Sequence, residues 1–362
     1  MQYNVIGLMS GSSLDGLDIA FVHLEETAGR WAFEILESAC IPYAADWKQK
    51  LSGATGLSAK DYLLLHSEYG DWLGHTVNEF MEENKLAYQV QLISSHGHTT
   101  FHSPDRHMTA QIGNGAAIAA ITGIRTITDL RSVDIALGGQ GAPIVPIGEK
   151  LLLPEYEFFL NIGGIANLSA AGDRFIGFDV CPANRILNLL ASETKKGYDE
   201  NGALAASGSI DGVLLQKLNS LNYYKQSYPK SLSNEFGINE IYPLIKDANI
   251  SRHDALATYV EHITMQIARS LNSLKETLPA TKNLRLLITG GGAHNRFLVE
   301  RLSAEVSLTG FECIVPSDNL VDFKEALIIA LMGVLRWRED INVLHTVTGA
   351  SKDSINGAVW SV

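Results

Sequence analysis

Residues 158–180 read FFLNIGGIANLSAAGDRFIGFDV, and this stretch decides the predicted fold. An apolar run reaches a small-residue turn at 163–167, a second run follows, and the Ala-Gly-Asp-Arg turn at 171–174 leads into a third. Apolar runs separated by such turns are typical of antiparallel strands. Residues 3–24, YNVIGLMSGSSLDGLDIAFVHL, repeat the plan around a turn at 10–13. Two like hairpins half a chain apart predict a duplicated α/β unit, each half opening with a sheet.

Helical and strand patterns fill the rest of the second half. Apolar residues recur along one stripe of 254–276, which predicts a long amphipathic helix. The apolar run at 284–288 is typical of a buried strand, and further helices are predicted at 296–307 and 323–338. Residues 219–240, rich in Asn, Ser, Tyr, Pro and Lys, predict an irregular excursion over a cleft or surface.

Composition restricts the class of protein. The 362 residues favour two domains, and 46% hydrophobic residues supply a sizeable core. A net charge of -12 does not favour nucleic-acid binding, which requires a basic surface. No apolar run is long enough to span a membrane. The start of the chain lacks the basic region of a signal peptide, and the three cysteines show no CxxC spacing. We therefore expect a soluble protein in a reducing cytoplasm.

Three small-residue turns each follow an apolar strand. They lie at 10–13, 163–167 and 290–295. Glycine lets the backbone approach a ligand and adopt positive φ, so that successive N–H groups can converge on a phosphate. Each turn alone is more often only a turn, but three in order across two half-chains predict a nucleotide lying between two lobes. Neither a P-loop nor a dinucleotide fingerprint is present.

Longer motifs then identify a family. The chain resembles the anhydro-N-acetylmuramic acid kinases, members of the actin/hexokinase/Hsp70-like superfamily, over nearly its whole length. The matching segments are GLMSGSSLDGLD (7–18), SHGHTTFHSP (95–104), QIGNGAAIA (111–119), TGIRTITDLRSVDIALGGQGAPIVP (122–146), NIGGIANLS (161–169), GFDVCPAN (177–184), LITGGGAHN (287–295), DFKEA (322–326) and TGAS (348–351).

The resemblance implies a fold and a reaction. The fold is α/β, with two ribonuclease H-like lobes around a nucleotide cleft: the first at 1–130 plus 341–362, the second at 131–340. The implied substrate is a 1,6-anhydro sugar from recycled peptidoglycan whose O6 is bridged to C1. Water would attack C1, and O6 would leave and take the γ-phosphoryl group of ATP, giving N-acetylmuramic acid 6-phosphate.

The resemblance also implies site residues. Asp179 is the expected base, although an Asp before Pro also caps helices. Glu325 is expected beside the anomeric centre, with a solvated helical Glu as the alternative. The expected ATP contacts, with the first two turns on the phosphates and the third under the adenosine, are Ser10, Gly11, Ser12, Ser13, Gly163, Gly164, Asn167, Gly290, Gly291, Gly292 and Asn295.

Substrate and metal contacts complete the implied site. His96 is expected to bind sugar hydroxyls, while His98 and His107 are expected on the surface. A zinc site is not expected, because such a site needs three or four convergent ligands and this histidine run crosses a loop. Arg131, with Asp134, is expected at the lactyl carboxylate, with an ion pair as the alternative. Asp15 and Asp18 could orient Mg²⁺ through water, although an Asx turn also explains Asp15. The family also implies a homodimer.

Five departures from the family pattern keep alternatives open. Ser12 replaces Thr, His98 replaces Gln, Asn114 replaces Asp, Val180-Cys181 replaces Thr-Gly, and Asn188 replaces Asp. Cys181 adds a Cβ beside the expected catalytic loop, where glycine could adopt positive φ. The alternatives are a kinase for another anhydro sugar of the levoglucosan type, and a nucleotide-binding protein that has lost catalysis.

Overall fold

The computed structural model describes residues 1–11, 13–172, 175–192, 197–228, 230–233, 235–277 and 284–362. The chain forms two compact units: unit 1 comprises Met1–Pro154 and Phe323–Val362, and unit 2 comprises Glu155–Asp322. These limits differ from the sequence-based division at 130/131 and 340/341. The reason is side-chain bonding within unit 1: Thr348 Oγ1 donates to Asp134 Oδ1 at 2.6 Å, and Lys324 Nζ donates to Glu149 Oε1 at 2.9 Å.

The described residues contain strands and helices in the following order. The strands are β1 (Gln2–Ser10), β2 (Gly16–Thr27), β3 (Arg30–Pro42), β4 (Leu92–Ser103), β5 (Met108–Ile112), β6 (Thr126–Thr128), β7 (Phe158–Ile162), β8 (Ile165–Ala170), β9 (Ile176–Pro182), β10 (Arg285–Thr289), β11 (Glu312–Ile314) and β12 (Ala358–Trp360). The α-helices are α1 (Ala45–Gly53), α2 (Ala59–Glu83), α3 (Gly115–Thr122), α4 (Ser132–Ala136), α5 (Pro146–Leu152), α6 (Asn184–Leu190), α7 (Ala203–Ala206), α8 (Gly212–Asn219), α9 (Tyr242–Asp247), α10 (Arg252–Thr277), α11 (Arg296–Ser307), α12 (Asp318–Trp337) and α13 (His345–Thr348).

The sheet of unit 1 has the strand order β12-β6-β4-β1-β2-β3, with β5 paired to β4. Strands β1, β2 and β3 form an antiparallel meander, whereas β4 runs parallel to β1 and β6 runs parallel to β4. The parallel register places Ser10, the last residue of β1, beside His98 within β4. Polar residues of these two strands are therefore brought together.

The sheet of unit 2 follows the same plan, in the order β11-β10-β7-β8-β9. Strands β7, β8 and β9 form an antiparallel meander, β10 runs parallel to β7, and β11 runs parallel to β10. The order 3-2-1-4-5 of the ribonuclease H-like sheet thus occurs in both units. The predicted α/β class and the duplicated unit are confirmed.

Each unit buries its own core. In unit 1 the apolar side chains of β1 and β2 pack with α2, including the fully buried Tyr69 and Leu73. In unit 2 the stripe of α10 that contains Tyr259, Ile263 and Ile267 packs on the sheet, as its period predicts. Across the described part of the chain, no helix is both long enough and apolar enough to cross a membrane.

Candidate active site

Ser10, the last residue of β1, lies at the centre of a buried hydrogen-bond chain. Its hydroxyl is 2.9 Å from Nδ1 of His98 and accepts a hydrogen bond from the Tyr43 hydroxyl at 2.7 Å. The Tyr43 hydroxyl lies 2.5 Å from that of Tyr69. Burial raises the pKa of Tyr43 to about 12 and lowers the pKa of His98 to about 4, so both are neutral near pH 7. The predicted surface position of His98 is wrong, since its exposed fraction is 5%.

The turn between β1 and β2 is closed by Asp15. Its Oδ1 accepts hydrogen bonds from the Ser13 hydroxyl at 2.6 Å and from the Gly16 N–H at 3.1 Å. These bonds are those of the turn-forming aspartate that the sequence left open as an alternative. Gly11 is half-buried and Ser13 is exposed, while the predicted contact Ser12 lies outside the described residues. Asp18 is half-buried on β2.

His96 and Arg131 are in electrostatic contact within unit 1. Burial, with a smaller contribution from the charge of Arg131, lowers the pKa of His96 to about 3. Burial likewise lowers the pKa of Arg131 to about 10, against an opposing attraction from Glu325 on α12. Nε2 of His96 and Nε of Arg131 are buried and have no hydrogen-bond partner within the described chain. The structure therefore brings together His96, Arg131 and Glu325, which lie 35 to 229 positions apart in the sequence. His96 and Arg131 each have a buried nitrogen with no hydrogen-bond partner in the described chain.

Asp134 is placed differently from its predicted sugar contact. Its side chain is fully buried. Oδ2 accepts from the Gly141 N–H at 2.8 Å, and Oδ1 accepts from the Thr348 hydroxyl at 2.6 Å. The carboxylate holds the loop after α4 onto the C-terminal segment, three residues from Arg131. His107 is exposed, as predicted.

In unit 2 the turn between β7 and β8 supplies the cap of α6. The carbonyl oxygens of Gly163 and Gly164 accept hydrogen bonds from Asn184 N–H at 3.1 Å and Ala183 N–H at 2.8 Å. Neither glycine has a positive φ. A Cβ added to Gly163 would lie 3.6 Å from its nearest neighbouring atom, and a Cβ added to Gly164 would lie 3.9 Å from its own. The fold itself would accept a side chain here. The glycines instead leave the surface of the turn open for a ligand.

Asp179 stands on β9 beside a β-bulge. Asn167 on β8 pairs with Asp179 whereas Ala166 pairs with Cys181, so Val180 is the extra residue. A bulge re-aims the neighbouring side chains, and here it turns Asp179 toward Asn167. Asn167 Nδ2 donates to Asp179 Oδ1, and the Leu232 N–H donates to Oδ2 at 2.8 Å. Burial nevertheless raises the pKa of Asp179 above its usual value, against these two bonds.

The irregular segment after α8 covers the backbone of Asp179. The Tyr223 hydroxyl donates to the Asp179 carbonyl at 2.6 Å, and the Asp179 N–H donates to the Lys230 carbonyl at 3.2 Å. The Lys230 ammonium lies 4.6 Å from the centre of the Tyr223 ring. The predicted excursion at 219–240 therefore lies against the candidate base and donates to its carboxylate through Leu232. Pro229 and Asn234 of this segment lie outside the described residues.

The third turn, after β10, needs Gly290 and Gly292 for the fold. Gly290 has φ 79°, and an added Cβ would lie 2.4 Å from Oδ1 of Asn161. A Cβ on Gly292 would lie 2.2 Å from Cγ2 of Ile162, whereas a Cβ on Gly291 would meet nothing closer than 3.7 Å. Asn295 caps α11 by accepting from the Leu298 N–H at 3.1 Å. Among the three glycines of this turn, Gly291 is the one where the fold would accept a Cβ without a close contact.

The departures at Val180, Cys181, Asn114 and Asn188 are accommodated without strain. Val180 and Cys181 are buried in extended backbone of β9, and burial raises the pKa of the Cys181 thiol. No positive φ occurs at Cys181, so its Cβ causes no conflict. Asn114 caps α3 by accepting from the N–H groups of Ala116 and Ala117, as an aspartate would. Asn188 is exposed on α6.

Several residues of the site were missed by reasoning from the sequence. Leu232 contributes only a backbone N–H and lies 53 positions from Asp179, so no sequence signal marks it. Tyr43 and Tyr69 read as ordinary core aromatics. Lys324 could have been noticed, because it lies at helical spacing between the apolar residues Val321 and Ile328. The structure shows that it is only 2% exposed. No group of three or more His, Cys, Asp and Glu side chains suited to a metal ion occurs in the part of the chain that the structure describes.

Comparison of the sequence with known proteins identifies one family. The family model for anhydro-N-acetylmuramic acid kinase matches residues 3–362. The chain is 35% identical to the anhydro-N-acetylmuramic acid kinase of Pseudomonas syringae pv. syringae (strain B728a), covering 99% of this chain and 100% of that protein. It is 34% identical to the enzyme of the same name from Hydrogenovibrio crunogenus, covering 98% and 97%. Among solved structures, the activator of the 2-hydroxyisocaproyl-CoA dehydratase from Clostridium difficile with bound ADPNP is 17% identical, with a TM-score of 0.42 over 94% of this chain and 96% of that one.

Proposed function

Because the chain belongs to the anhydro-N-acetylmuramic acid kinase family, we propose that it uses ATP to open and phosphorylate anhydro-N-acetylmuramic acid. The chain is a sugar kinase of that family. The observation that carries the proposed mechanism is Asp179: a half-buried carboxylate with a raised pKa, held by two hydrogen bonds on a bulged strand end. This is the environment of a general base rather than of a helix cap.

The proposed reaction consumes one water molecule. Asp179 accepts a proton from water as the water oxygen forms a bond to C1 of the sugar. The bond between C1 and O6 breaks, O6 bonds to the γ-phosphorus, and ADP leaves. The products are N-acetylmuramic acid 6-phosphate and ADP. Most of the rate enhancement is expected from positioning and charge neutralisation around the phosphoryl group.

Residues of unit 1 are proposed to hold the sugar. Arg131 has an unused, buried Nε and suits the lactyl carboxylate. His96 has an unused, buried Nε2 and suits a polar group of the sugar. Glu325, attracted electrostatically to Arg131, is proposed to lie near the anomeric centre. Asp134 is proposed to position Arg131 through the loop after α4, since its own carboxylate is fully bonded inside unit 1.

The glycine turns are proposed to hold ATP. Gly163, Gly164 and Gly291 lack side chains at points where the fold would accept one, which favours close approach by a ligand. Gly11, Ser12 and Ser13 are proposed as phosphate contacts with them. Ser10, Asn167 and Asn295 instead have their polar side-chain atoms in bonds within the protein, so we propose that they shape these turns.

Mg²⁺ is the expected companion of ATP. Asp15 is exposed and uses Oδ1 in its turn, and Asp18 is half-buried, so Asp15 and Asp18 suit an ion that keeps most of its waters. When bound, the ion would neutralise charge on the phosphates. We also propose a homodimer on the family resemblance, and a cytoplasmic location consistent with three cysteines that show no CxxC spacing. Analytical ultracentrifugation tests the dimer.

The decisive experiment is ATP turnover with 1,6-anhydro-N-acetylmuramic acid as the only acceptor. We expect ADP release that depends on the sugar, and in ¹⁸O water we expect label at C1 of the product and none on the transferred phosphoryl group. Label on the phosphoryl group would refute the mechanism. Turnover of levoglucosan in preference to the N-acetylated sugar would instead favour a different anhydro-sugar kinase, and no sugar-dependent turnover would favour a nucleotide-binding protein.

A further inference from the structure

Two tyrosine hydroxyls bond to the outer edge of β9, the strand that carries Asp179. β9 is the last strand in the order β11-β10-β7-β8-β9, so its outward backbone groups face no neighbouring strand of the described sheet. The Tyr223 hydroxyl donates to the Asp179 carbonyl at 2.6 Å, and the Tyr259 hydroxyl donates to the Pro182 carbonyl at 2.8 Å. These bonds hold the strand on both sides of Val180, the extra residue of the bulge.

The two tyrosines come from separate elements, and His262 joins them. Tyr259 and His262 lie three positions apart on α10, and their rings stack at a centroid distance of 5.5 Å. The ring of Tyr224 lies 4.9 Å from that of His262, and the ring of Tyr223 lies 5.6 Å from that of Tyr224. His262 is fully buried at the centre of this series. We call these four side chains the tyrosine clamp.

Both ring nitrogens of His262 are hydrogen-bonded. Nδ1 lies 2.7 Å from Oδ1 of Asn219, an amide oxygen that also accepts from Gln266 Nε2 at 2.6 Å, so Nδ1 carries the proton. Nε2 lies 3.1 Å from the Tyr224 hydroxyl and accepts from it. Burial, with a smaller contribution from the charge of Arg269, lowers the pKa of His262 to about 3, so the ring is neutral near pH 7. The imidazole thus ties the end of α8 and the segment after it to α10.

The segment that the tyrosine clamp holds also bonds to the side chain of Asp179. The Leu232 N–H donates to Oδ2 at 2.8 Å, and the Lys230 carbonyl accepts from the Asp179 N–H at 3.2 Å. The described residues of 226–232 form no helix or strand. The position of the Leu232 N–H therefore depends on how the residues before this stretch are anchored, and His262 supplies that anchor through Tyr224.

We propose that His262 is a positioning residue for the proposed base, Asp179. It holds the segment 222–232 through Tyr224 and the bulge of β9 through Tyr259, and together these fix the direction of the carboxylate. The proposal rests on the proposed function, in which Asp179 takes a proton from water. His262 contacts neither substrate and transfers no proton. Its effect is on geometry, and a small displacement of a catalytic group costs a large factor in rate.

The first test compares H262N with H262Q. The side-chain amide of H262N can replace the Nδ1–H group but does not reach the Tyr224 hydroxyl, whereas the longer side chain of H262Q can accept from it. We expect H262N to lower kcat for sugar-dependent ADP release by about tenfold and to leave KM for ATP and sugar within about twofold of wild type. H262Q should keep about half of kcat or more. H253N, at an exposed position of the same helix α10, should keep wild-type values.

The second test asks whether the loss passes through Asp179. A general structural defect would lower the residual turnover of D179N further, whereas lost positioning has no base left to act on. H262N/D179N should therefore match D179N in kcat. Y224F, which removes only the hydroxyl that bonds to His262, should show the same dependence on Asp179, and Y242F, which removes another tyrosine hydroxyl of unit 2, should change nothing. An equal factor of loss with and without Asp179, or a loss confined to KM, would overturn the proposal.

Hydrogen exchange separates the proposal from the kinase activity. Peptides that contain Asp179 or Leu232 should exchange their amide hydrogens faster in H262N than in the wild type and in H262Q, while peptides from β10 should be unchanged. If H262N does not fold, Y224F serves for both measurements. Exchange that neither variant changes would overturn the positioning role, whatever the turnover. Faster exchange in a protein without sugar-dependent turnover would support the tyrosine clamp and refute the proposed function.

Discussion

The two units share one sheet plan but place opposite chemistry on their strands. In unit 1 the polar residues at the end of β1 and within β4 are neutral: Ser10, His96 and His98 are buried, and burial lowers the pKa values of both histidines. In unit 2 the corresponding meander carries Asp179, a half-buried carboxylate whose pKa is raised. Burial acts in both units, but it favours neutral histidines in one and a stronger base in the other.

The difference shows how a duplicated scaffold can divide its tasks. A neutral, hydrogen-bonding surface suits recognition of an uncharged sugar body, because its groups need no counter-charge. A carboxylate with a raised pKa suits proton abstraction, because its affinity for a proton is greater than that of an exposed aspartate. Changes that exchange or remove these features test the division.

The largest effect is expected from removing the proposed base, Asp179. D179N keeps the size of the side chain but cannot accept a proton from water, so kcat for sugar-dependent ADP release should fall by about 10²–10⁴-fold. D247N, at an exposed position of unit 2, should keep wild-type activity and serves as the control. Retention of more than a tenth of kcat by D179N would show that unit 2 does not supply the base.

The next effect concerns the frame of unit 1. Lys324, which precedes Glu325 in the sequence, forms an ion pair with Glu149 at 2.9 Å. The two side chains are 2% and 3% exposed. K324M removes the positive charge from a buried ion pair, so the free energy of unfolding should fall by about 3–5 kcal/mol in urea titrations. The double variant K324M/E149L should recover most of the loss. A double variant as unstable as K324M would show that packing, and not charge, sets the cost.

The fold could be predicted from sequence because its signals are local. The hairpins at 3–24 and 158–180 appear as β1–β2 and β7–β9, and the helix predicted at 296–307 is α11. The unit limits could not be predicted, because they depend on bonds between distant residues such as Asp134 and Thr348. Hydrophobic period gives no information about such pairings.

The site was predictable only in part, for a related reason. Asp179, His96 and Arg131 were selected because they lie in motifs that resemble those of the family. The partner of Asp179 at Leu232 is a backbone group, and the role of His98 depends on burial beside Ser10, which no pattern in a histidine-rich run reveals. Glycine turns were read as positions of positive φ, yet Gly163 and Gly164 lack it and Gly290 has it.

The neutral histidines of unit 1 predict sensitivity to acid. The pKa of His98 falls from 6.5 to about 4 on folding, so stability is lost as pH falls below 6.5 toward about 4. H98Q can still bond to Ser10 but does not titrate. Between pH 7 and pH 5 it should therefore lose about 2 kcal/mol less stability than the wild type. H107Q, at an exposed position, should lose as much stability as the wild type. If H98Q lost as much stability as the wild type, a neutral, buried His98 would not be the cause of the acid sensitivity.

The smallest effect concerns how the carboxylate of unit 2 is tuned. Asn167 donates to Asp179 Oδ1 and thereby lowers its pKa against the effect of burial. N167S removes this donor, so the pKa of Asp179 should rise further. Since the proposed base must be ionised, the acidic limb of the kcat/KM profile should move to higher pH, while kcat/KM above that limb stays close to wild type. N188S, at an exposed position of α6, is the matched control. A uniform loss at every pH would assign Asn167 to positioning alone, and a downward shift would contradict the hydrogen bond as the cause.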